Sequence, residues 1–395
     1  MYERKHVQLI TKRLTEKRQF IQVILGPRQV GKTTAIQQVM RHLSCDTHYA
    51  AADLPAPPQP QWIADQWEIA RLKAAGKKII LVLDEIQKIE RWSEEVKRLW
   101  DEDTRRGIDI SLVILGSSSL LVQKGLSESL AGRFELIRFA HWSWEECREA
   151  FGMRLDEYVY FGGYPGGAAL RHDHLRWQHY IRDSLIETAI SKDILMMTKV
   201  AKPALLRQLF VLACEYGGQV LSYQKILGQI QDAGNTTTLA HYQHLFEASF
   251  LIAGLQKYSG KAVRKRGSSP KWLPLNTGLM TALMNDPLEK TRTDPQLWGR
   301  LVEVAVGAHL VNQAQEAGAA IYYWRHVNHE IDYIICRAKS LVAIEVKSGR
   351  HKRSVPGFEQ FKKEFKTIRN ILVGQNGLGL KDLLSMSIDD IFARE

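Results

Sequence analysis

The segment at residues 20–43 most restricts what this chain can fold into. An apolar run, Phe20-Ile-Gln-Val-Ile-Leu25, leads directly into Gly26-Pro-Arg-Gln-Val-Gly31-Lys32-Thr33-Thr34 and then into a helix-compatible stretch that ends near Leu43. An apolar strand, a glycine-rich loop and a helix, in that order, are what a P-loop requires. The glycines let the backbone wrap closely around phosphate groups, and the start of the helix offers free N–H groups to them.

This P-loop predicts an ATP site with Mg²⁺. Lys32 would reach the β- and γ-phosphates, and Thr33 would hold Mg²⁺ through its hydroxyl. A glycine-rich turn without a nucleotide is the alternative. The expected nucleotide contacts are Gly26, Pro27, Arg28, Gln29, Val30, Gly31, Lys32, Thr33 and Thr34.

Two later apolar runs predict strands that end in polar residues. The run at 79–83 ends in Asp84 and Glu85, and the run at 110–115 ends in Gly116 and Ser117. Ligands bind at such strand ends in open α/β sheets. We expect Asp84 to hold Mg²⁺, Glu85 to deprotonate the attacking water, and Ser117 to sense the γ-phosphate. Helix capping is the alternative for the serines that follow Gly116.

Several phrases resemble one branch of the AAA-type P-loop ATPases. They are Leu83-Asp-Glu-Ile-Gln-Lys-Ile89 followed by Trp92, Ser129-Leu-Ala-Gly-Arg133, Tyr160-Phe-Gly-Gly-Tyr-Pro165 and Lys271-Trp-Leu-Pro-Leu-Asn-Thr-Gly278. In this branch an AAA-like ATPase precedes a carboxy-terminal domain of unknown function. The resemblance implies ATP hydrolysis and a homo-oligomer formed through the ATPase domain.

The same resemblance raises the question of which arginine reaches the γ-phosphate. Arg133 follows the third strand and can serve its own subunit or a neighbour, as in ring-forming relatives. Arg105 and Arg106, just before that strand, compete for the role. A structural ion pair is the other interpretation of Arg133.

The middle of the chain resembles a winged helix-turn-helix. Ser222 is expected to cap a helix that reaches Ile230, and Asn235 to open a second one that reaches Ala248. Strand-like runs follow at 250–255 and 271–275. The stretch 257–272 contains no acid and six cations, namely Lys257, Lys261, Arg264, Lys265, Arg266 and Lys271.

Such a basic wing suits phosphate contacts that do not read base sequence. We therefore expect nucleic acid, with DNA favoured, to contact Lys261, Arg264, Lys265 and Arg266. A merely solvated hairpin is the alternative.

Near the end of the chain, two β-rich runs flank a turn centred between Ala338 and Lys339. Position 332 then pairs opposite position 345, and position 347 shares the face of 345 because side chains alternate along a strand. Asp332, Glu345 and Lys347 therefore converge. Two neighbouring carboxylates repel each other unless a cation lies between them, and a lysine can assist attack by a metal-bound water.

This arrangement resembles the PD-(D/E)XK nuclease superfamily. The resemblance implies Mg²⁺ or Mn²⁺ on Asp332 and Glu345, which also count as catalytic, a catalytic Lys347, and a further acid at Glu303 on a helix. It favours a DNA-processing or defence enzyme whose nuclease responds to nucleotide state. An ATP-dependent switch or binding module with a non-cleaving fold is the second hypothesis, and a regulatory NTPase that never meets nucleic acid is the third.

Composition agrees with a multidomain globular protein. The 395 residues carry a net charge of +11, and the four cysteines are scattered without zinc-site or disulfide spacing. No apolar run is long enough to span a bilayer, so a cytoplasmic protein without membrane contact is expected. The expected fold class is α/β, with an AAA-like P-loop ATPase domain at 1–160, a helical and winged-helix domain at 161–275, and a restriction-endonuclease-like α/β domain at 276–395.

Overall fold

The computed structural model describes residues 2–53, 58–116, 126, 129–195, 200–230, 234–260, 269–347, 349 and 355–393. The chain divides into two compact units, Met1–Phe139 and Ala140–Glu395. The domain boundaries after residues 160 and 275 stay a prediction. Five predicted site residues lie outside the described residues, namely Ser117, Lys261, Arg264, Lys265 and Arg266.

The first unit is built on a parallel sheet of five strands. The strands are β1 (Ile21–Leu25), β2 (Asp46–Ala51), β3 (Ile79–Asp84), β4 (Ile110–Gly116) and β5 (Phe134–Arg138), in the spatial order β2-β3-β4-β1-β5. Every residue of β1, β3 and β4 is buried. Continuous apolar strands of this kind suit a sheet that is covered on both faces. The α/β fold with a parallel sheet is therefore confirmed.

In the described part of this unit, four helices with defined bounds accompany the sheet, together with a one-turn 3₁₀ helix at Ile86–Lys88. They are α1 (Lys5–Thr15), α2 (Lys32–His42), α3 (Gln61–Ala74) and α4 (Trp92–Arg106). The strand register aligns Leu25 of β1 with Gly116 of β4, and Asp84 of β3 with Leu115 of β4. The carboxyl ends of β1, β3 and β4 therefore meet at one edge of the sheet.

The second unit begins with short helices. They are α5 (Trp144–Phe151), α6 (Leu155–Phe161), α7 (Pro165–Ala168) and α8 (His174–His179), followed by π-helical stretches at Tyr180–Ile186 and Ala189–Leu195, and then α9 (Pro203–Glu215), α10 (Tyr223–Leu227) and α11 (Thr236–Ala248). Ser222 and Asn235 cap α10 and α11 as predicted, because their side chains accept hydrogen bonds from Lys225 N and Thr238 N. The helix after Ser222 ends at Leu227, before the expected Ile230.

A two-stranded antiparallel hairpin follows, formed by β6 (Ile252–Leu255) and β7 (Lys271–Pro274). The expectation that Lys271 is a solvent-facing cation of the wing is wrong. Lys271 begins β7 and its residue is 0% exposed. Its side chain is fully buried against Glu303 and Asp332, so it cannot contact a phosphate on the surface.

The rest of the second unit surrounds a four-stranded sheet. Its strands are β8 (Ala320–His326), β9 (His329–Arg337), β10 (Ser340–Lys347) and β11 (Arg369–Gly374), in the order β11-β10-β9-β8. Its helices are α12 (Gly278–Thr281), α13 (Leu288–Thr293), α14 (Pro295–Ala314), α15 (Pro356–Lys362), α16 (Leu380–Ser385) and α17 (Ile388–Phe392). In the described parts of both units, no helix combines the length and the apolar character needed to cross a membrane.

The hairpin register in this sheet follows the symmetry read from the sequence. Arg337 pairs with Ser340 and Tyr333 with Ile344, so the turn is centred between Ala338 and Lys339. An apolar core that includes Trp324, Ile334 and Phe361 packs against this sheet. Asp332 and Glu345 therefore lie opposite each other on neighbouring strands.

Candidate functional site

The P-loop of the first unit has the backbone geometry of a phosphate cradle. Gly31 adopts a φ of 89° immediately before α2, a left-handed conformation that favours glycine. A Cβ on Gly26 would lie 2.0 Å from the Phe139 carbonyl oxygen, so only glycine fits there. The Lys32 ammonium donates to the carbonyl oxygens of Gly26 at 2.9 Å and Pro27 at 2.7 Å. These contacts hold the lysine across the loop.

Asp84 is the meeting point of three elements. Its Oδ2 accepts a hydrogen bond from the Thr33 hydroxyl at 3.3 Å and from the Tyr49 hydroxyl at 2.6 Å. Asp84 is only 8% exposed. Sequence reasoning missed Tyr49, which reaches Asp84 from the neighbouring strand β2. Hydroxyl and carboxylate oxygens are the ligands that Mg²⁺ prefers, so Thr33 and Asp84 fit the metal of a nucleotide complex.

Glu85 follows Asp84 at the same edge and begins the 3₁₀ turn with a φ of 53°. Burial raises its pKa, the guanidinium of Arg28 opposes that shift, and the Asp84 carboxylate adds to it. Its Oε2 accepts a hydrogen bond from Gln87 Nε2 at 2.8 Å. A carboxylate with a raised pKa is a better proton acceptor, as a general base requires.

The structure does not bring Arg133 to the P-loop. Arg133 immediately precedes β5, whose first residue aligns with Ile21 at the start of β1. The P-loop follows the other end of β1, about 16 Å away at 3.3 Å per residue. The guanidinium forms a two-pronged ion pair with Asp101, at 2.8 and 3.1 Å. The prediction that Arg133 serves the γ-phosphate of its own subunit is therefore corrected: here it is a structural ion pair.

Arg105 and Arg106 do not take over the role at the γ-phosphate that was expected of Arg133. They are the last residues of α4 and precede β4, so they also lie at the amino edge of the sheet. Arg106 pairs with Glu102 on its own helix at 2.9 Å.

The second unit brings together the acids and the lysine that the sequence singled out. Asp332 N donates to Glu345 Oε2 at 3.3 Å, and the Lys347 ammonium lies 2.6 Å from Glu345 Oε1. Asp332 Oδ2 accepts from Val346 N at 2.8 Å. Glu303, on α14, joins the group from the side. We call Glu303, Asp332, Glu345 and Lys347, together with Lys271, the acidic cluster.

Lys271 is the member of this cluster whose place sequence reasoning misjudged. Its ammonium lies 2.6 Å from Glu303 Oε1 and 3.4 Å from Asp332 Oδ1. It also donates to the Asp332 carbonyl oxygen at 3.3 Å and lies 4.7 Å from the centre of the Tyr333 ring. Burial lowers the pKa of Lys271, but the carboxylates of Glu303 and Asp332 outweigh it and raise that pKa well above its usual value. Lys271 is therefore a buried cation.

The acidic cluster as it stands does not fit a divalent metal. Both Asp332 oxygens and both Glu345 oxygens already face donors of the protein, and a fixed ammonium lies between Glu303 and Asp332. A second cation there would meet strong like-charge repulsion. Among the described residues, no group of three or more His, Cys, Asp or Glu side chains is arranged to hold a metal ion. The metal predicted on Asp332 and Glu345 therefore has no site in this arrangement.

Three family models match successive parts of the chain. Residues 18–148 match an AAA domain. This part of the chain is similar to AAA-type ATPase domains. Residues 153–290 match a Domain of unknown function (DUF8612), and residues 298–382 match another Domain of unknown function (DUF4143).

Relatives and solved structures share limited identity with the chain. An uncharacterized protein of Mycobacterium tuberculosis is 26% identical over 310 residues, and the match covers 77% of this chain and 64% of that protein. One of Haemophilus influenzae is 24% identical over 280 residues, covering 66% and 68%. The chain thus spans 64% of the length of its Mycobacterium relatives.

Two solved structures align with most of the chain. The Thermotoga maritima RuvB Holliday junction branch migration motor has 16% identity and a TM-score of 0.34, covering 63% of this chain and 87% of that one. The Aeropyrum pernix Orc1 protein in complex with DNA has 15% identity and a TM-score of 0.32, covering 72% and 92%.

Proposed function

We propose that the chain binds ATP with Mg²⁺ and hydrolyses it at the carboxyl edge of the parallel sheet. The observation that carries this proposal is the contact of Thr33 with Asp84 beside the Lys32 ammonium, because it joins the start of α2, just after the P-loop, to the end of β3. Lys32 would bind the phosphates, and Thr33 and Asp84 would hold the metal. Bound Mg²⁺ neutralises phosphate charge during transfer. Glu85 accepts the proton of the attacking water.

Two variants test this assignment. Lys32→Ala should weaken nucleotide binding by about 1.5–3 kcal/mol, the usual worth of a hydrogen bond to a charged group. Glu85→Gln should keep binding and lose turnover by about 10²–10⁴-fold, because the amide cannot accept the proton. Fluorescent-nucleotide titration and phosphate release separate the two defects. Turnover at the wild-type rate in purified Glu85→Gln would remove Glu85 from this role.

We also propose that the chain acts on nucleic acid through nonspecific phosphate contacts. Supporting it are the net charge of +11 and the run of basic residues between β6 and β7. Lys271 is removed from that set because it is buried, which leaves Lys257 and four residues of 261–266. Replacing Lys261, Arg264, Lys265 and Arg266 with Ala should weaken DNA binding similarly for all sequences and flatten its salt dependence. An unchanged salt slope would move the DNA surface elsewhere on the chain, whereas no salt-dependent DNA binding by the wild type would favour the regulatory NTPase without nucleic acid.

For the carboxy-terminal part we propose a binding module of nuclease-like fold that does not cleave. The state of the acidic cluster favours this hypothesis over the nuclease, since Lys271 neutralises the carboxylates that a metal would need. Supercoiled, single-stranded and branched DNA should stay intact with Mg²⁺ or Mn²⁺, with and without ATP. Metal-dependent cleavage that Lys347→Ala abolishes and Lys32→Ala retains would instead establish the nuclease.

A further inference from the structure

The Lys271 ammonium lies between the carboxylates of Glu303 and Asp332 in the acidic cluster. It enters from β7, while Glu303 approaches from α14 and Asp332 from β9. The backbone at residue 218 also lies close to the cluster: Gly218 N donates to the Trp272 carbonyl oxygen at 2.8 Å, and a Cβ on Gly218 would lie 3.6 Å from Glu303 Oε1. The ammonium is therefore held at one point by several elements of the same unit.

The charges of the cluster show what this ammonium does. Glu303, Asp332 and Glu345 supply three carboxylates, whereas Lys347 supplies one ammonium at the rim, with its side chain 38% exposed. Lys271 supplies the second ammonium, and its side chain is 0% exposed. Without Lys271 the ionised cluster would carry a net charge of −2. Buried carboxylates this close need a cation between them, and a divalent ion has the charge that would be missing.

More oxygen atoms surround the Lys271 ammonium than a simple buried ion pair needs. An ordinary pair joins one lysine to one acid, whereas the Lys271 ammonium lies 2.6 and 3.4 Å from carboxylate oxygens of two elements and 3.3 Å from a backbone carbonyl oxygen of Asp332. Carboxylate and carbonyl oxygens converging on one point are also what Mg²⁺ or Mn²⁺ binds. The oxygens are thus arranged around a cation that the protein itself provides.

We infer that the Lys271 ammonium takes the place of a divalent cation in the acidic cluster. The cluster then connects the β6–β7 hairpin to the carboxy-terminal sheet without a metal ion. Removing the ammonium converts the cluster into a divalent-metal site. This inference deepens the proposed non-cleaving role of the same cluster and rests on it. It does not depend on ATP hydrolysis.

Mn²⁺ binding to the full chain tests the inference. The free Mn²⁺ concentration is followed by electron paramagnetic resonance, without nucleotide and in an Asp84→Asn background that removes the P-loop ligand. The Lys271-containing protein and its Asp332→Asn derivative should give the same isotherm. Lys271→Met, which keeps the length of the side chain without its charge, should gain one site per chain with at least tenfold higher affinity. Adding Asp332→Asn to Lys271→Met should remove that site.

Two results would overturn the inference. One is that the Lys271-containing protein binds Mn²⁺ and that Asp332→Asn abolishes this binding. The other is a Lys271→Met protein with a wild-type circular dichroism spectrum that binds no additional Mn²⁺. If Lys271→Met does not fold, the Asp332→Asn comparison alone decides, since equal isotherms support the inference and unequal ones contradict it. DNA cleavage by the wild type would contradict the proposed non-cleaving function. This result is separate from the test of the inference, because the cleavage assay does not measure Mn²⁺ binding.

Discussion

The Tyr49 hydroxyl donates a 2.6 Å hydrogen bond to Asp84 Oδ2, the same oxygen that accepts from the Thr33 hydroxyl at 3.3 Å. Tyr49 lies on β2, and the register of β2 with β3 aligns Ala51 with Asp84 two residues further on. Burial and the hydrogen bond to Asp84 raise the pKa of Tyr49. The phenol therefore stays protonated at neutral pH, so it orients the carboxylate that would hold Mg²⁺.

Removing this hydroxyl should weaken the affinity for the Mg²⁺ that supports ATP turnover. Partners that orient a metal ligand typically contribute 10–100-fold to metal affinity, so Tyr49→Phe should raise the Mg²⁺ concentration for half-maximal turnover by about that factor. Tyr216→Phe is the matched control, because the Tyr216 hydroxyl accepts a hydrogen bond from Gln229 Nε2 at 3.0 Å and lies in the second unit. An unchanged Mg²⁺ dependence in Tyr49→Phe would show that the hydroxyl has no part in metal binding.

The P-loop should not tolerate a side chain at position 26. In Gly26→Ala the new Cβ would lie 2.0 Å from the carbonyl oxygen of Phe139, the residue after β5, so the loop or that residue must move. Overpacking of this kind costs about 1–3 kcal/mol, and the displaced loop should also lose nucleotide affinity. In Gly228→Ala the nearest atom would be 3.6 Å away, which predicts little effect. Urea unfolding and nucleotide titration of both variants check this, and equal stability of the two would contradict the steric argument.

Sequence reasoning was most successful where the signal is local. The P-loop follows from one continuous segment, and the opposition of Asp332 and Glu345 follows from the symmetry of a single hairpin turn, which the register of β9 and β10 confirms. The caps at Ser222 and Asn235 also depend only on a few neighbouring residues. In each case the chain needs no distant partner to specify the geometry.

The features that were missed depend on distant partners. Tyr49 reaches Asp84 only because β2 is the neighbour of β3. Local sequence patterns do not specify the order of strands in a sheet. Lys271 stands in a basic stretch, so composition favoured a surface position, although its partners Glu303 and Asp332 come 32 and 61 residues later. The position of Arg133 after β4 in the sequence predicts a place near the γ-phosphate. In the structure Arg133 instead pairs with Asp101 at the opposite edge of the sheet.

Loss of the Arg133 guanidinium should leave ATP turnover nearly intact. Its ion pair with Asp101 is partly exposed, with side chains 34% and 38% accessible, and such pairs contribute about 0–1 kcal/mol. Arg133→Ala should therefore keep turnover within about twofold, a factor that corresponds to less than 1 kcal/mol. Arg91→Ala, which removes another exposed ion pair, is the control. A loss of turnover of 100-fold or more in Arg133→Ala alone would restore a role at the phosphate, through a neighbouring subunit.

The acidic cluster should make the stability of the second unit depend on pH. Burial raises the pKa of Glu303 to about 7, against the opposing effect of Lys271 and with a contribution from Asp332. Burial, followed by the Asp332 carboxylate, also raises the pKa of Glu345 to about 7, although Lys347 opposes it. A carboxyl whose pKa is raised on folding binds its proton more tightly in the folded state. Its stabilising effect is complete below the unfolded value and is lost as the pH rises through about 7.

Glu303→Gln isolates one of these carboxyls. The neutral amide cannot ionise, so the variant should lose less stability than the wild type between pH 5 and pH 8. The difference should grow with pH towards an upper limit of about 3 kcal/mol, which corresponds to a shift from 4.5 to about 7. Urea unfolding at several pH values, followed by tryptophan fluorescence, measures it. Glu359 lies at an exposed helix position, so the stability of Glu359→Gln should change with pH in the same way as that of the wild type. If the gap between Glu303→Gln and the wild type is the same at every pH, Glu303 ionises equally well in the folded and unfolded chain, and Lys271 compensates fully for its burial.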